Sequence, residues 1–161
     1  MSVNLKGMNI LITGASSGIG RQAAITYGKH NANIIALGRS QGALETLDDD
    51  LAKYNCDVSL VPFNLIQFNL IKDLEEKLSE RINHLDVLFL NAAALGSLKP
   101  VTHIEEEEWN ETFAINLTSN VILLKLFAFI PISFGFKLSL IHISEPTRQA
   151  EMSYAVFCLK K

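Results

Sequence analysis

The eight residues Thr13-Gly14-Ala15-Ser16-Ser17-Gly18-Ile19-Gly20 constrain this chain more than any others, because of what lies on either side of them. They follow an apolar run, Met8 to Thr13, with the character of a buried strand. They also open a segment with apolar residues at helical spacing, from Ile19 to about His30. A glycine-rich turn between a strand and a helix lets backbone N–H groups at the helix start approach an anion without Cβ atoms in the way. Ser16 and Ser17 add hydroxyl donors to the same turn. A pyrophosphate needs this arrangement. The spacing, G-x-x-x-G-x-G, is a variant of the commoner G-x-G-x-x-G dinucleotide loop.

The alternation continues along the chain. Asn33 to Leu37 reads as a second strand, and Gln41 to about Tyr54 as a helix carrying Leu44, Leu47 and Leu51 at spacings of three and four. Val58 to Phe63 makes a third strand, Leu70 to Ile82 a third helix, and Asp86 to Leu90 a fourth strand. Each strand is a near-continuous apolar run, as expected where helices cover both faces of a parallel sheet. Glu105 to about Phe129 then reads as one long helix, with an acidic first turn suited to the positive end of the helix dipole. The expected fold class is α/β, a Rossmann-like doubly wound parallel sheet. The length of 161 residues matches one domain.

Charge and apolar content exclude several partners. With 14 Lys+Arg against 17 Asp+Glu, the net charge of −3 offers no basic field for a nucleic acid. The longest apolar stretch, Val121 to Phe136, is broken by Lys125, Pro131 and Gly135 and falls short of the roughly 20 residues that span lipid, so no membrane segment is expected. Two cysteines make no disulfide framework and no signal pattern opens the chain, so a cytoplasmic location is expected. The acidic run Glu105 to Glu108 has no metal-ligating partners near it in sequence, and no metal site is expected.

Arg39, with Ser40 beside it, stands at the end of the second strand, where a ribose-selecting side chain belongs. An acid there would accept from a 2′-hydroxyl, whereas a guanidinium pairs bidentately with a 2′-phosphate. NADP is therefore expected as cofactor ahead of NAD.

Taken with Asn91-Ala92-Ala93-Ala94 after the fourth strand, the glycine loop resembles that of the classical short-chain dehydrogenase/reductase family, over roughly Leu5 to Ala128. The resemblance implies that Gly14, Ser16, Gly18, Ile19 and Gly20 form a pyrophosphate loop. It implies that Arg39 contacts a 2′-phosphate and that Asn91, Ala92 and Ala93 run behind the adenosine ribose. Asn64-Leu65 falls where the family usually has Asp and an apolar residue at the adenine; Asn64 keeps a side-chain oxygen able to accept. Asn116 matches the family's catalytic asparagine, which holds a water for a proton relay. The implied activity is oxidoreduction of a small-molecule carbonyl or alcohol by a protein that forms a homo-oligomer, its dimer interface built partly from the helix Glu105 to Phe129. Val121, Leu124 and Phe127 would then be exposed in a lone chain.

The family's remaining catalytic groups, a Ser and a Tyr-x-x-x-Lys, are not assignable. Tyr154 is followed four residues on by Cys158, and Ser144 lies only ten residues before it. Leu138 to Arg148 instead resembles the translation of a transposase adapter used in sequencing libraries, and Ser153 to Lys161 that of the adapter's flow-cell end. Gln149 to Glu151 fall at the barcode, and Met152 departs from the adapter's Ile. The expectation is an incomplete NAD(P)-binding domain over 1–137, truncated after about four strands with an open sheet edge, and a non-biological tail over 138–161. The alternative is a non-catalytic nucleotide-binding module. A nucleotide-sugar epimerase or methyltransferase on the same fold fits the Asn91-Ala92-Ala93 loop less well.

Overall fold

The computed structural model describes residues 4–128, and 137–143 and 154–160 as backbone. Four parallel strands make up the larger part of the sheet: β1 (Asn9–Thr13), β2 (Asn33–Gly38), β3 (Val58–Pro62) and β4 (Val87–Phe89), in the order β3-β2-β1-β4 with β3 at the edge. Strand pairing sets Ile10 beside Ile34 and Val87, so one layer of aliphatic side chains crosses the sheet. Crossover helices α1 (Gly18–Lys29), α2 (Gln41–Leu51) and α3 (Phe68–Ser79) join successive strands.

Because side chains alternate across a strand, each strand feeds two cores. Leu11, Ile35, Leu37 and Leu88 pack on one face with Ile71, Leu74 and Leu78 of α3. Ile10, Ile12, Ile34 and Ala36 pack on the other with Ala24 of α1 and with Leu44, Leu47 and Leu51 of α2. Asn9 and Thr13 are the polar residues of β1, and those groups of Asn9 that face the sheet are engaged. Its N–H donates to Asp86 Oδ2 (2.8 Å), its Nδ2 to the His84 carbonyl (2.9 Å), and its Oδ1 accepts from Asn33 (3.0 Å). Helix α1 ends in a Schellman motif, with Asn31 left-handed at φ 59° and the Ala32 N–H reaching the Tyr27 carbonyl.

The long helix expected over Glu105 to Phe129 is resolved into parts. A 3₁₀ turn (Val101–His103) precedes α4 (Glu106–Phe113), a π turn (Ala114–Thr118) and α5 (Ser119–Ala128). Phe129 lies outside the described residues. Leu123 and Phe127 of α5 are fully buried against the α3 side of the sheet. The expectation that Val121, Leu124 and Phe127 would all be exposed is therefore corrected for Phe127, and for Leu124, which is partly buried against the same core. Steps of three residues drift by about 60° around a helix, so Phe127 lies well around from Val121. The exposed apolar line runs instead through Trp109, Phe113, Leu117 and Val121.

The parallel part of the sheet stops at four strands. The far edge of β4, expected to be open, is covered by an antiparallel pair, β5 (Lys137–Ile143) and β6 (Tyr154–Lys160). Two residues of β4, Val87 and Leu88, pair with Cys158 and Phe157. Tyr154 thus begins a strand, not a helix.

Candidate functional site

All four parallel strands point their carboxyl ends toward one edge of the sheet, the place where open α/β sheets bind ligands. A cavity of about 320 Å³ opens there between the strand ends and the N-terminus of α1. The β1–α1 turn lines it with Gly14, Ser16, Ser17, Gly18 and Ile19, and the end of β2 adds Leu37, Gly38 and Arg39. Phe63, Asn64 and Leu65 follow β3, and Asn91, Ala92 and Ala93 follow β4.

The turn is built so tightly that only glycine fits at its two supports. Gly14 has φ 68°, and a Cβ there would stand 2.9 Å from the Ala92 Cα. At Gly20 a Cβ would stand 2.4 Å from the Gly14 carbonyl oxygen and 2.6 Å from Asn91 Nδ2. Gly20 therefore does not line the cavity; it lets the first turn of α1 nest under it. Thr13, fully buried, fastens the opposite wall: its Oγ1 accepts from the N–H groups of Asn91 (2.9 Å) and Ala92 (3.0 Å). Asn91 Nδ2 donates back to the Thr13 carbonyl (3.3 Å). Asn91 Oδ1 is buried with no hydrogen-bond partner among the described residues.

Ser17 is the N-cap of α1, yet its side chain makes no capping bond, and no acidic residue occupies the first turn. The free N–H groups and the positive end of the helix dipole thus face the cavity uncompensated. Arg39 is exposed and makes no hydrogen bond or ion pair among the described residues. Arg21, by contrast, is held by Asp50 at 2.8 Å and by the Ala43 and Thr46 carbonyls. Ser40 lies outside the lining, at the N-cap of α2, where its Oγ accepts from the Ala43 N–H. Asn64 Oδ1 accepts from the Ile66 N–H (3.3 Å) in an Asx turn, so the oxygen expected to be available already has one partner.

Asn116 lies in the π turn, exposed and apart from the cavity lining. Its side chain grips the loop after β4 in both directions: Oδ1 accepts from the Ala94 N–H and Nδ2 donates to the Ala94 carbonyl, each at 2.8 Å. A second clamp holds the same loop. Glu108 of α4 accepts from the Ser97 N–H and pairs with Lys99 Nζ at 2.8 Å. The Lys99 bond, then those from Ser97, hold the Glu108 carboxyl down at about 2, against an ordinary 4.5. Away from this edge, burial pushes the Cys56 thiol up, with Asp57 and Asp48 adding to the effect.

Leu37, Phe63 and Ile115 complete the apolar lining and were not singled out from sequence. Leu37 and Phe63 read only as strand residues, and Ile115 reaches the cavity from a helix fifty residues further along the chain than Leu65. No group of His, Cys, Asp and Glu among the described residues forms a metal site.

A crossover-linked parallel sheet with a glycine turn at its carboxyl edge defines the class of Rossmann-like nucleotide-binding domains. A family model described as short chain dehydrogenase matches residues 8–130, and the chain belongs to that family. It is 34% identical over 116 residues to a 5-keto-D-gluconate 5-reductase of Escherichia coli strain K12, a match covering 72% of this chain and 45% of the relative. It is 32% identical over 117 residues to a 3beta-hydroxysteroid dehydrogenase of Mediterraneibacter gnavus, covering 68% and 40%. Among solved structures, a putative short chain dehydrogenase from Pseudomonas syringae superposes with a TM-score of 0.74 at 26% identity, covering 79% of this chain and 53% of that one. One from Escherichia coli CFT073, complexed with NADPH, superposes with a TM-score of 0.71 at 25% identity, covering 79% and 55%. The chain thus spans somewhat under half the length of these curated relatives.

Proposed function

We propose that this chain is the cofactor-binding part of an NADP-dependent short-chain oxidoreductase that interconverts a carbonyl and an alcohol. The observation that carries the reading is Arg39, unpaired among the described residues at the lip of a cavity floored by a glycine turn and an uncompensated helix N-terminus. The residues fit a dinucleotide. Gly14 and Gly20 let the turn close against Ala92 and Asn91 where a Cβ would clash, Gly18 has open space around it, and the buried Asn91 Oδ1 offers an acceptor. The resemblance to a family member complexed with NADPH supports the same choice. When bound, NADPH supplies the hydride. The work of this chain's own residues is positional: α1 holds the pyrophosphate, Arg39 the 2′-phosphate, Asn64 and Leu65 border the adenine, and Asn91 to Ala93 back the ribose.

Asn116 keeps in this scheme the water-holding role that the resemblance gives it, while its side chain fixes the loop through Ala94. None of the three tyrosines, Tyr27, Tyr54 and Tyr154, has a lysine four residues on, so the chain alone is expected to bind nucleotide without turning over a carbonyl. The parent is proposed to be a cytoplasmic homo-oligomer that buries the Trp109, Phe113, Leu117 and Val121 line. No helix among the described residues is long and apolar enough to cross a membrane. Residues 138–161 are proposed to derive from adapter DNA. Sequencing the source locus across the Lys137 codon is expected to show the frame continuing differently, into a Ser and a Tyr-x-x-x-Lys. A genomic match to Leu138 through Lys161 would contradict it.

The binding test is a fluorescence titration of the 161-residue chain with NADPH and NADH. Tighter NADPH binding is expected, weakened about 10- to 100-fold by Arg39→Ala, the effect of losing a charged hydrogen-bonding partner, with NADH nearly unaffected. Equal affinities for both nucleotides, unchanged in the variant, would remove the NADP assignment.

A further inference from the structure

The π turn that carries Asn116 has its own fastening. The Ser119 N–H reaches the Ala114 carbonyl, five residues back, instead of Ile115. The Ile115 carbonyl is taken by the Ser119 hydroxyl at 2.7 Å, in a fully buried site. One residue on, Asn120 Nδ2 donates to the Asn116 carbonyl at 2.8 Å. Two consecutive side chains therefore bond to carbonyls four residues back, at the place where the backbone ladder is offset. Asn120 is also an expensive choice: its Oδ1 is buried with no partner among the described residues. A buried unpaired acceptor opposes stability, and retention of one calls for a reason beyond packing.

We propose that Ser119 and Asn120 are positioning residues for the nucleotide cavity, holding the π turn open so that Asn116 grips Ala94. Closing the wide turn into an α turn takes one residue out of register, a rotation of about 100° that carries Asn116 away from the loop. Ala94 would then be released, and with it the anchored end of the Asn91 to Ala93 wall. The effect on nucleotide binding rests on the function proposed above. The link from Asn120 through Asn116 to Ala94 does not.

The test is residue-resolved amide exchange on the full chain, comparing Asn120→Ala, Asn120→Ser, Asn116→Ala and the double variant Asn120→Ala/Asn116→Ala. Asn120→Ala is expected to speed exchange at Ala94 about tenfold, the scale of one lost hydrogen bond, while Leu11 in β1 keeps its protection. Because the substitution also deletes the orphan acceptor, the thermal midpoint is not expected to fall. Asn120→Ser restores the Ala94 rate, since a serine hydroxyl also bonds four residues back. The double variant exchanges no faster at Ala94 than Asn116→Ala, because both act along one path. An unchanged Ala94 rate in Asn120→Ala, an additive double variant, or equal acceleration at Ala94 and Leu11 would each overturn the proposal. A chain that shows the Ala94 pattern but binds no NADPH would overturn the function and leave the linkage standing.

Discussion

Gly20 leaves no room for a side chain, because the atom it would meet is the backbone oxygen of Gly14, which cannot rotate aside. Gly20→Ala is therefore expected to cost about 1–3 kcal/mol in urea denaturation and to abolish nucleotide binding, as overpacking against rigid backbone does. Gly18, at φ 54° with open space around it, is the milder case: alanine there meets only left-handed backbone strain of about 1 kcal/mol. A larger loss at Gly18 than at Gly20 would contradict the geometry. Glu108 makes a prediction in pH. Its carboxyl is lowered in the folded chain, so the clamp on Ser97 and Lys99 is complete above the ordinary 4.5 and is lost as pH falls through about 2. A carboxyl-detected NMR titration checks this. A Glu108 midpoint near 2 is expected, and one near 4.5 would mean that the clamp is open in solution.

At the scale of elements, α5 has two faces with different consequences. Phe127 is fully buried beside Leu123 over α3, so Phe127→Ala is expected to destabilise by about 3–5 kcal/mol, read from denaturant unfolding. Leu117, in the π turn just before α5, is more than half exposed on the apolar line; Leu117→Ala is expected to change stability by under about 0.5 kcal/mol while weakening self-association on sizing. The order of α-helices and parallel strands was legible in sequence because runs such as Ile10 to Ile12 and Ile34 to Leu37 have no polar face to show water. The π turn was not legible. Ala114 to Thr118 has no residue foreign to an α-helix, and the signal lies in Ser119 and Asn120 bonding four residues back, a local side-chain choice that apolar periodicity does not encode. The burial of Phe127 was not legible either, because the resemblance assigns the helix to an interface as a whole, and which of its residues cover α3 is set by packing with Ile71, Leu74 and Leu78.

For the molecule as a whole, the carboxyl edge of the sheet gathers residues from Gly14 to Ile115, and the cavity exists because four parallel strands end there. The glycine turn and Arg39 were readable because their chemistry is local. The grip of Thr13 on Asn91 and Ala92, and of Asn116 on Ala94, joins residues far apart in sequence, and no spacing rule points to it. The hairpin β5–β6 was equally beyond reach, because a run resembling translated adapter carries no expectation of pairing with β4. The central claim, that this edge holds a 2′-phosphorylated dinucleotide, is tested most directly by backbone NMR of the 161-residue chain titrated with NADPH. Shifts are expected at Gly14 to Ile19, Arg39, Asn64 and Asn91 to Ala93, with the opposite edge at Asn9, Asn33 and His84 unmoved. Saturating NADPH that leaves Gly14 to Ile19 and Arg39 unshifted would contradict the account.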